Sequence, residues 1–460
     1  MAIQPRTPPG VLELLPPQQL AFQRMLDTIR RGFERFAFLP VETPAFELTS
    51  VLLTKSGGET EKQVYFVQST GALAKGQAAG AVPAVPELAL RFDLTVPLAR
   101  YVAEHEHELN FPFRRYQIQR VYRGERAQKG RYREFYQCDI DVIAKDTLPL
   151  AYDAEIPAII HGVFRELAFG AFTIRVNNRK LLRGLLESLG IEEAAHAAVL
   201  HEVDRLGKLS RAEVEGRLAS EAKLEAAVAT RLLDLLTANR GDSRAALATL
   251  RAFAGGNATF LEGLAELEAV YAGTLALGVP ESQFAIDLAI ARGLDYYTGT
   301  VYETFLDDHP ELGSICSGGR YENLAGHYTK SKLPGVGISI GATRLFSKLV
   351  ELKVLGAAAG TTAHVIVLHA EAELAAEYAA IATELRGAGW NVEVYGAAEK
   401  LGKQLKYADR AAVPLAVLYG TRERDAAIVK LKDLRPGAEP REHDVPRAEL
   451  AARVRALLAP

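Results

Sequence analysis

The sequence lacks the features that mark disulfide-rich, zinc-binding or membrane proteins. Its 460 residues include only two cysteines, Cys138 and Cys316. Two cysteines cannot build a disulfide framework, and neither lies in a Cys-x-x-Cys motif or a Cys/His cluster, so no protein metal site is expected. No apolar run reaches the length of a membrane span, and the opening MAIQPRTPPG contains no apolar signal core. We therefore expect a cytoplasmic protein that does not contact a membrane.

A global excess of one charge is also missing. The formal net charge is −3, with 24% charged and 48% hydrophobic residues, which is typical of a soluble globular protein. The length predicts two to four domains. Because there is no overall basic field, a nucleic acid must be bound by local basic patches, and DNA is not an expected partner.

The familiar glycine-rich phosphate loops are absent. The segment 334–345, PGVGISIGATRL, has neither GxGxxG nor GxxxxGK[ST] spacing, so the Rossmann and P-loop interpretations are poor. It predicts a glycine-rich strand that enters a helix at about Ala342. A strand without side chains allows a flat ligand to lie against the backbone, with Arg344 just beyond it.

The most informative stretch present is a basic hairpin, RVYRGERAQKGRYREFYQCDID, at 120–141. We predict strands at 117–122 and 133–143. Between residues 114 and 133 there are eight Arg or Lys and one acid, Glu125. Such a hairpin can hold phosphates. The alternative is a solvated basic hairpin whose charges protect a sheet edge from aggregation.

Two further stretches combine polar groups with strand-like patterns. Asp93 and Thr95 alternate with apolar residues, so on an extended segment both would face one side and could receive an ammonium group. They could equally cap a helix ahead of Pro97. In ARGLDYYTGTVYE, 291–303, Tyr296 or Tyr297 could hydrogen-bond a planar polar ligand, although a packed tyrosine-rich hairpin is the alternative.

The rest of the chain predicts the domain organisation. We expect an amphipathic helix at 17–36, a flexible loop at 71–88, and an almost unbroken helical region from 177 to about 281. After a linker at 355–363, strands and helices alternate in a small α/β domain, for which a mostly parallel sheet is expected. Four basic residues on its second helix form a solvated face or an RNA contact: Lys400, Lys403, Lys406 and Arg410.

Four of these stretches together resemble histidyl-tRNA synthetase, a class II aminoacyl-tRNA synthetase. The first helix with Pro44 looks like motif 1, and the stretch from Tyr122 through Glu125 to Arg131 looks like motif 2. GISIGATRL looks like motif 3. RGLDYYTG, 292–299, is similar to the signature that separates the histidine enzyme from other class II synthetases, and the match covers nearly the whole chain.

The resemblance implies an α+β catalytic core, in which helices flank an antiparallel sheet of six to seven strands. Residues 1–176 and 281–354 would form this core, 177–280 a helical insertion, and 361–460 a C-terminal α/β anticodon-binding domain. The implied enzyme is a homodimer that makes histidyl-adenylate from L-histidine and ATP, then charges tRNA(His). Magnesium would be held mainly by the ATP phosphates.

The resemblance also implies roles for particular residues. Three arginines would neutralise the phosphates and the substrate carboxylate in catalysis: Arg123, Arg292 and Arg344. Glu125 and Arg131 would complete the ATP site, and the strand 335–341 would leave room for the adenine. Asp93, Thr95 and Gln137 would receive the α-ammonium group of histidine, and Asp141 and Tyr297 would bracket its imidazole. Tyr296 is also expected to bind histidine.

The sequence departs from many bacterial relatives at a few positions. Asp93 and Asp141 stand where glutamate is common, which shortens the side chain but keeps the charge. Thr343 replaces the acid that commonly precedes the motif 3 arginine, and Ala127 replaces a proline. The main alternative function is a non-catalytic regulatory subunit of ATP phosphoribosyltransferase. A free tRNA-binding sensor module and a different class II amino-acid specificity are weaker alternatives.

Overall fold

The computed structural model describes most of the chain. The described residues are 4–53, 64–71, 73, 85–126, 130–206, 209–238, 241–253, 255–291, 297–323, 325–355 and 360–459. The chain divides into two compact units. The first contains residues 1–13 and 25–355, and the second contains residues 14–24 and 356–460.

The strands and helices before residue 356 alternate in no simple repeat. The strands are β1 (Leu39–Pro40), β2 (Phe46–Leu48), β3 (Tyr65–Val67), β4 (Leu88–Leu90), β5 (Phe113–Tyr122), β6 (Glu134–Ile143), β7 (Phe172–Asn178), β8 (Phe284–Ile286), β9 (Thr300–Leu306), β10 (Cys316–Tyr321) and β11 (Gly335–Ile340). The helices are α1 (Pro16–Glu34), α2 (Thr49–Leu52), α3 (Thr95–Glu104), α4 (Ala151–Leu167), α5 (Arg179–Ser188), α6 (Glu193–Val203), α7 (Arg211–Ser220), α8 (Ala226–Thr237), α9 (Ser243–Ala252), α10 (Ala258–Ala276) and α11 (Ala342–Glu351).

An eight-stranded sheet forms the centre of the first unit, in the order β1-β5-β6-β11-β10-β9-β7-β8. The six inner strands are β5, β6, β11, β10, β9 and β7, and each adjacent pair among them is antiparallel. The outer strands β1 and β8 pair in parallel. The α+β fold expected from the sequence is therefore confirmed, with a parallel strand added at each edge of the antiparallel sheet. A second, three-stranded sheet has the order β2-β4-β3.

The helical region between β7 and β8 is held together by caps and by close backbone packing. The Asn178 side chain accepts hydrogen bonds from the backbone of Lys180 and Leu181, which fixes the start of α5. A Cβ on Gly263 of α10 would lie 2.2 Å from the Leu181 nitrogen. Only glycine allows α5 and α10 to approach this closely.

The second unit contains five more strands and four more helices among the described residues. They are β12 (Val365–Val367), α12 (Ala375–Gly387), β13 (Val392–Val394), α13 (Leu401–Arg410), β14 (Leu415–Leu418), α14 (Thr421–Asp425), β15 (Ile428–Asp433), β16 (Glu442–Pro446) and α15 (Leu450–Leu458). The sheet order is β13-β12-β14-β15-β16.

The mostly parallel sheet expected for this unit is present, because β13, β12, β14 and β16 run in one direction and β15 runs opposite to them. β12 pairs in parallel with β13 and β14, but β15 is antiparallel to both β14 and β16. The cause is the short connection after β14, which contains only the five-residue helix α14. A parallel crossover needs a dozen or more residues, so β15 must return in the opposite direction.

None of the helices in the described part of the chain is both long and apolar enough to cross a membrane.

Candidate functional site

A cleft of about 340 Å³ lies along β6, β10 and β11, beside the start of α11. Five residues named from the sequence line it: Arg123, Glu125, Arg131, Gln137 and Arg344. The other lining residues are Gly130, Tyr132, Phe135, Ser314, Ile315, Cys316, Ser317, Ser339, Gly341 and Leu345. The structure thus brings together residues that lie more than two hundred positions apart in the sequence.

The β5–β6 hairpin positions most of these side chains. Its two ten-residue strands stay in register from Phe113 opposite Ile143 to Tyr122 opposite Glu134. Directly opposed residues share one face of a sheet. Three polar pairs therefore occupy the same face: Arg115 with Asp141, Gln117 with Asp139, and Gln119 with Gln137.

The basic residues of the hairpin have different environments. The side chains of Arg120 and Arg131 are 51% and 66% exposed, as expected for a solvated hairpin. Arg114 instead forms an ion pair with Glu155 at 2.8 Å. Arg115 is completely buried and pairs with Asp141. The alternative of a merely solvated edge therefore fails for Arg115.

Arg123 is held on the cleft wall by two neighbours. Its Nε donates to the Phe92 carbonyl at 3.1 Å, and its guanidinium carbon lies 5.1 Å from the centroid of the Phe135 ring. In the segment that follows Arg123 in the sequence, Arg131 pairs with Glu125 at 3.4 Å. These contacts leave an arginine-rich wall that can bind an anion such as a polyphosphate.

Arg344 lies in the first turn of α11, and its guanidinium donates to the Leu312 carbonyl. The preceding residue, Thr343, is 5% exposed, and its hydroxyl accepts a hydrogen bond from the Tyr136 backbone at 2.8 Å. Thr343 therefore joins α11 to β6 and does not line the cleft.

The interpretation of Asp93 and Thr95 as neighbours on an extended segment is wrong. Helix α3 begins at Thr95, and Asp93 Oδ1 accepts a hydrogen bond from the Val96 nitrogen at 3.1 Å. The helix-cap alternative is the one observed. Desolvation raises the pKa of Asp93 to about 6, which the Val96 N–H and the charge of Arg123 partly oppose.

Asp141 is a carboxylate fixed by two partners. Arg115 pairs with one oxygen, and the Tyr321 hydroxyl donates to the other at 2.9 Å. Asp141 is 4% exposed. Burial raises its pKa, while Arg115 and the Tyr321 hydroxyl act in the opposite direction. The group is thus immobilised beside the residues that line the cleft.

The glycines of β11 make room for protein side chains. A Cβ on Gly337 would lie 2.3 Å from Asp141 Oδ1, and one on Gly335 would meet the Tyr321 ring at 2.4 Å. On the neighbouring strand, a Cβ on Gly319 would lie 2.8 Å from the Tyr297 ring. The expectation that strand 335–341 leaves room for adenine stays a prediction, and the space that a Cβ would take at Gly335 and Gly337 is occupied by Tyr321 and Asp141. Gly341 alone of these glycines lines the cleft.

Several residues named from the sequence lie outside the described residues. They are Arg292, Tyr296, Ala127 and most of the 71–88 loop. Tyr297 is described, and its ring packs over Gly319, which pairs with Gly337 next to Asp141. Tyr297 and Asp141 are thus separated by one pair of glycines.

Sequence reasoning missed four residues of this site: Arg115, Asp139, Tyr321 and Ser339. Burial raises the pKa of Asp139 to about 7, because Asp141 and Asp93 add to the desolvation that Arg115 and the Ser339 hydroxyl oppose. The alternation of polar residues along β6 could have identified Asp139, since it lies between Gln137 and Asp141. Arg115, Tyr321 and Ser339 could be found only from the strand register.

Comparisons with known proteins agree on one family. The family model described as histidyl-tRNA synthetase matches residues 10–345. The model described as anticodon binding domain matches residues 362–457. Together these two models span nearly the whole chain.

The chain is similar over its length to a protein named histidine--tRNA ligase from Xanthomonas campestris pv. campestris (strain 8004). The two are 57% identical, over 98% of this chain and 96% of that protein. A histidyl-tRNA synthetase structure from Nostoc sp. PCC 7120 is 39% identical with a TM-score of 0.88, over 99% of this chain and 100% of that chain. A Bacillus halodurans structure, described as an ATP phosphoribosyltransferase regulatory subunit/histidyl-tRNA synthetase, is 21% identical. Its TM-score is 0.71, over 88% of this chain and 97% of that chain, which indicates a shared fold only.

Proposed function

This chain belongs to the histidyl-tRNA synthetase family, and on that premise we propose that it activates L-histidine with ATP and charges tRNA(His). One observation carries the chemistry. Buried carboxyl groups lie on the same strand face as Gln137, at an arginine-lined cleft. We name Arg123, Glu125, Arg131 and Arg344 the nucleotide cleft. We name Asp93, Thr95, Gln137, Asp141, Tyr296 and Tyr297 the histidine pocket.

In the first step, a carboxylate oxygen of histidine attacks the α-phosphorus of ATP. A new P–O bond forms, and the bond from the α-phosphorus to pyrophosphate breaks. Because two anions must meet, catalysis consists mainly of positioning and charge neutralisation. Arg123 bridges the α-phosphate and the histidine carboxylate, Arg292 stabilises charge at the α-phosphate, and Arg344 holds the γ-phosphate end.

In the second step, the 3′-terminal ribose hydroxyl of the tRNA attacks the histidyl carbonyl, and AMP leaves. Arginine suits the phosphate contacts because its guanidinium binds phosphate in bidentate geometry and stays protonated. Glu125 faces the adenine side, and Arg131 contacts ATP from the loop. Mg²⁺ would be held mainly by the phosphate oxygens of ATP, which are hard ligands suited to it, and would supply charge neutralisation there.

The histidine pocket reads both ends of the amino acid. Asp93, Thr95 and Gln137 receive the α-ammonium group, while Asp141 and a tyrosine each bind one imidazole nitrogen. Asp141 is suited to this task because its two hydrogen-bonded partners hold the carboxylate still. An apolar analogue leaves buried polar groups unpaired, which is the strongest basis for rejecting a wrong substrate.

The proposed domains assign catalysis and tRNA binding to different parts of the chain. We propose residues 1–176 and 281–354 as the catalytic core, 177–280 as a helical insertion, and 361–460 as the anticodon-binding domain. On α13, Lys406 and Arg410 lie one turn apart and are suited to phosphate contacts. We expect the protein in the cytoplasm, where tRNA is used.

A homodimer is supported by an exposed apolar face on the small sheet. Phe46, Leu48 and Leu88 are 53%, 42% and 40% exposed, and their registers place them on one face of β2 and β4. Contiguous exposed apolar residues of this kind are typical of an interface. The segment follows directly on the residues that resemble motif 1.

The direct test is aminoacylation of tRNA(His) with labelled histidine. We expect the wild-type protein to charge tRNA(His) with histidine and ATP. Replacing Lys406 and Arg410 by alanine should weaken charging and leave adenylate formation unchanged. Absence of charging by the folded protein would favour the regulatory-subunit alternative. That alternative has less support, because an anticodon-binding domain matches residues 362–457.

A further inference from the structure

Three polar side chains form a continuous series at the edge of the histidine pocket. Gln137 Nε2 donates to Ser339 Oγ at 2.7 Å, and an interaction with the same hydroxyl acts to lower the pKa of the Asp139 carboxyl. Asp139 and Ser339 are directly opposed on β6 and β11. Gln137 and Ser339 line the cleft, whereas Asp139 is 2% exposed. The hydroxyl therefore connects a cleft-lining amide to a buried carboxyl.

Two oxygen atoms at the ends of this series have no partner. Gln137 Oε1 and Asp139 Oδ1 are buried, and neither has a hydrogen-bond donor among the described residues. A buried carbonyl oxygen without a donor is costly, and a ligand that supplies a donor recovers that cost. Of these two oxygen atoms, Gln137 Oε1 belongs to a residue that lines the cleft.

The chemistry of the three groups decides which end of the Gln137 amide faces Ser339. Above its pKa of about 7, Asp139 is ionised and can only accept hydrogen bonds, and the Ser339 hydroxyl has a single proton. When Ser339 donates that proton to Asp139, it can only accept from Gln137. The amide must then direct its NH₂ group to Ser339, and its Oε1 atom is left for another donor.

We propose that Asp139, acting through Ser339, is a positioning residue that fixes the Gln137 amide and so presents Oε1 to the α-ammonium group of histidine. This inference rests on the proposed function, because it takes histidine as the ligand and Gln137 as a contact of its ammonium group. Asp139 itself does not touch the substrate. Its role is to select one of two amide orientations that are otherwise nearly equal in energy.

The test measures binding of two ligands to the full-length protein by calorimetry. One is L-histidine, and the other is 3-(imidazol-4-yl)propanoate, which lacks only the ammonium group. The variants are Ser339→Ala, Ser339→Thr and Asp139→Asn. Ser347→Ala is the matched control, because the Ser347 hydroxyl is buried without a hydrogen-bond partner in the described structure.

Ser339→Ala leaves the Gln137 NH₂ group without an acceptor when Oε1 binds the ammonium, so we expect about a tenfold loss of histidine affinity. Asp139→Asn lets the amide adopt either orientation, and we expect a loss of about threefold. Ser339→Thr keeps the hydroxyl, so its histidine affinity should stay within about twofold of wild type. The Ser347→Ala control should give the same result. Binding of the deamino ligand stays within about twofold in all four variants.

Three results would overturn the proposal. Equal losses for both ligands would mean that Ser339 and Asp139 only support the fold, and unchanged histidine binding in Ser339→Ala would mean that the Gln137 amide needs no fixing. A wild-type protein that binds the deamino ligand but gains nothing from the ammonium group also contradicts it. Failure of the wild type to bind histidine at all would instead remove the proposed function, and this inference with it.

Discussion

The proposed nucleotide cleft and the proposed histidine pocket differ in how exposed their ion pairs are. In the cleft, Arg131 and Glu125 form a 3.4 Å pair whose side chains are 66% and 24% exposed. In the pocket, Arg115 and Asp141 form a pair whose side chains are 0% and 6% exposed, with Tyr321 as an additional partner. One region is open and adaptable, and the other is closed and fixed.

The difference matches the two binding tasks. A flexible polyphosphate needs charge and access, and exposed arginines supply both. A small amino acid must be distinguished from others of similar size, which requires groups that stay in place and cannot turn to water. The cost differs as well, because a half-exposed ion pair contributes little to stability, whereas a buried one cannot lose a partner cheaply.

The largest expected effect comes from breaking the buried pair. Asp141→Asn leaves the Arg115 charge without its counter-ion, so the free energy of unfolding should fall by about 3–5 kcal/mol. Histidine binding should be lost as well. Glu125→Gln is the matched control in the open cleft, and its free energy of unfolding should change by less than about 1 kcal/mol. Urea unfolding of both variants makes the comparison, and equal changes would show that the two regions do not differ.

Removing an arginine from the cleft should affect rate more than stability. Arg123→Ala should lower the rate of adenylate formation by about 10²–10³-fold, as expected for a lost transition-state donor. Histidine affinity should fall by a smaller factor than the rate, because the proposed contact of Arg123 with the histidine carboxylate is one of several contacts to the amino acid. Arg120→Ala, on the same hairpin but paired with Glu134 and half exposed, should leave the rate unchanged. Single-turnover kinetics would contradict this account if both variants were equally slow.

A smaller effect should follow from filling the space beside Asp141. Gly337→Ala places a Cβ 2.3 Å from Asp141 Oδ1, which should cost about 1–3 kcal/mol and weaken histidine binding. Gly341→Ala has nothing within 4 Å of the added Cβ and should leave the stability unchanged. Thermal unfolding of this pair tests whether the pocket is rigid. Similar melting temperatures would indicate that Asp141 can move.

The smallest expected effect is the pH dependence of the free energy of unfolding that arises from Asp93 and Asp139. The pKa values of Asp93 and Asp139 are raised to about 6 and about 7 from 3.8, so the folded protein binds these protons more tightly than the unfolded chain. Their contribution to the free energy of unfolding therefore falls as pH rises from about 4 to about 7.

Asp139→Asn should remove part of that slope in the ligand-free protein. The groups that act on Asp139 are Arg115, Asp141, Asp93 and the Ser339 hydroxyl, and the variant leaves all four in place. Urea unfolding at several pH values between 4 and 7 measures the difference from wild type. An identical slope in both proteins would place the Asp139 pKa at its ordinary value.

Local pattern was sufficient for some of this site and insufficient for the rest. The hairpin was predictable because alternating polarity and a glycine turn are local signals, although β5 begins at Phe113, four residues before the predicted start. The sequence around Asp93 was compatible with both a helix cap and an extended segment, and the choice between them depended on packing. The register that joins Arg115 to Asp141 and Ser339 to Asp139 is set by pairing between distant strands.

The glycines of β11 show the same limit. Their spacing correctly indicated that backbone must be approached closely, and the protein groups that approach Gly337 and Gly335 are Asp141 and Tyr321. In the second unit, the short connection after β14 contained the information that β15 could not run parallel to β14. The sequence pattern predicts a mostly parallel sheet but does not identify β15 as the reversed strand.

The most direct test of the account is ATP–pyrophosphate exchange by the wild-type protein, measured with each of the twenty amino acids in turn. The central claim is that the histidine pocket selects one amino acid for activation in the adjoining nucleotide cleft. We predict exchange with histidine at a rate far above that with any other amino acid. Exchange with several amino acids, or none with histidine from folded protein, would contradict that claim.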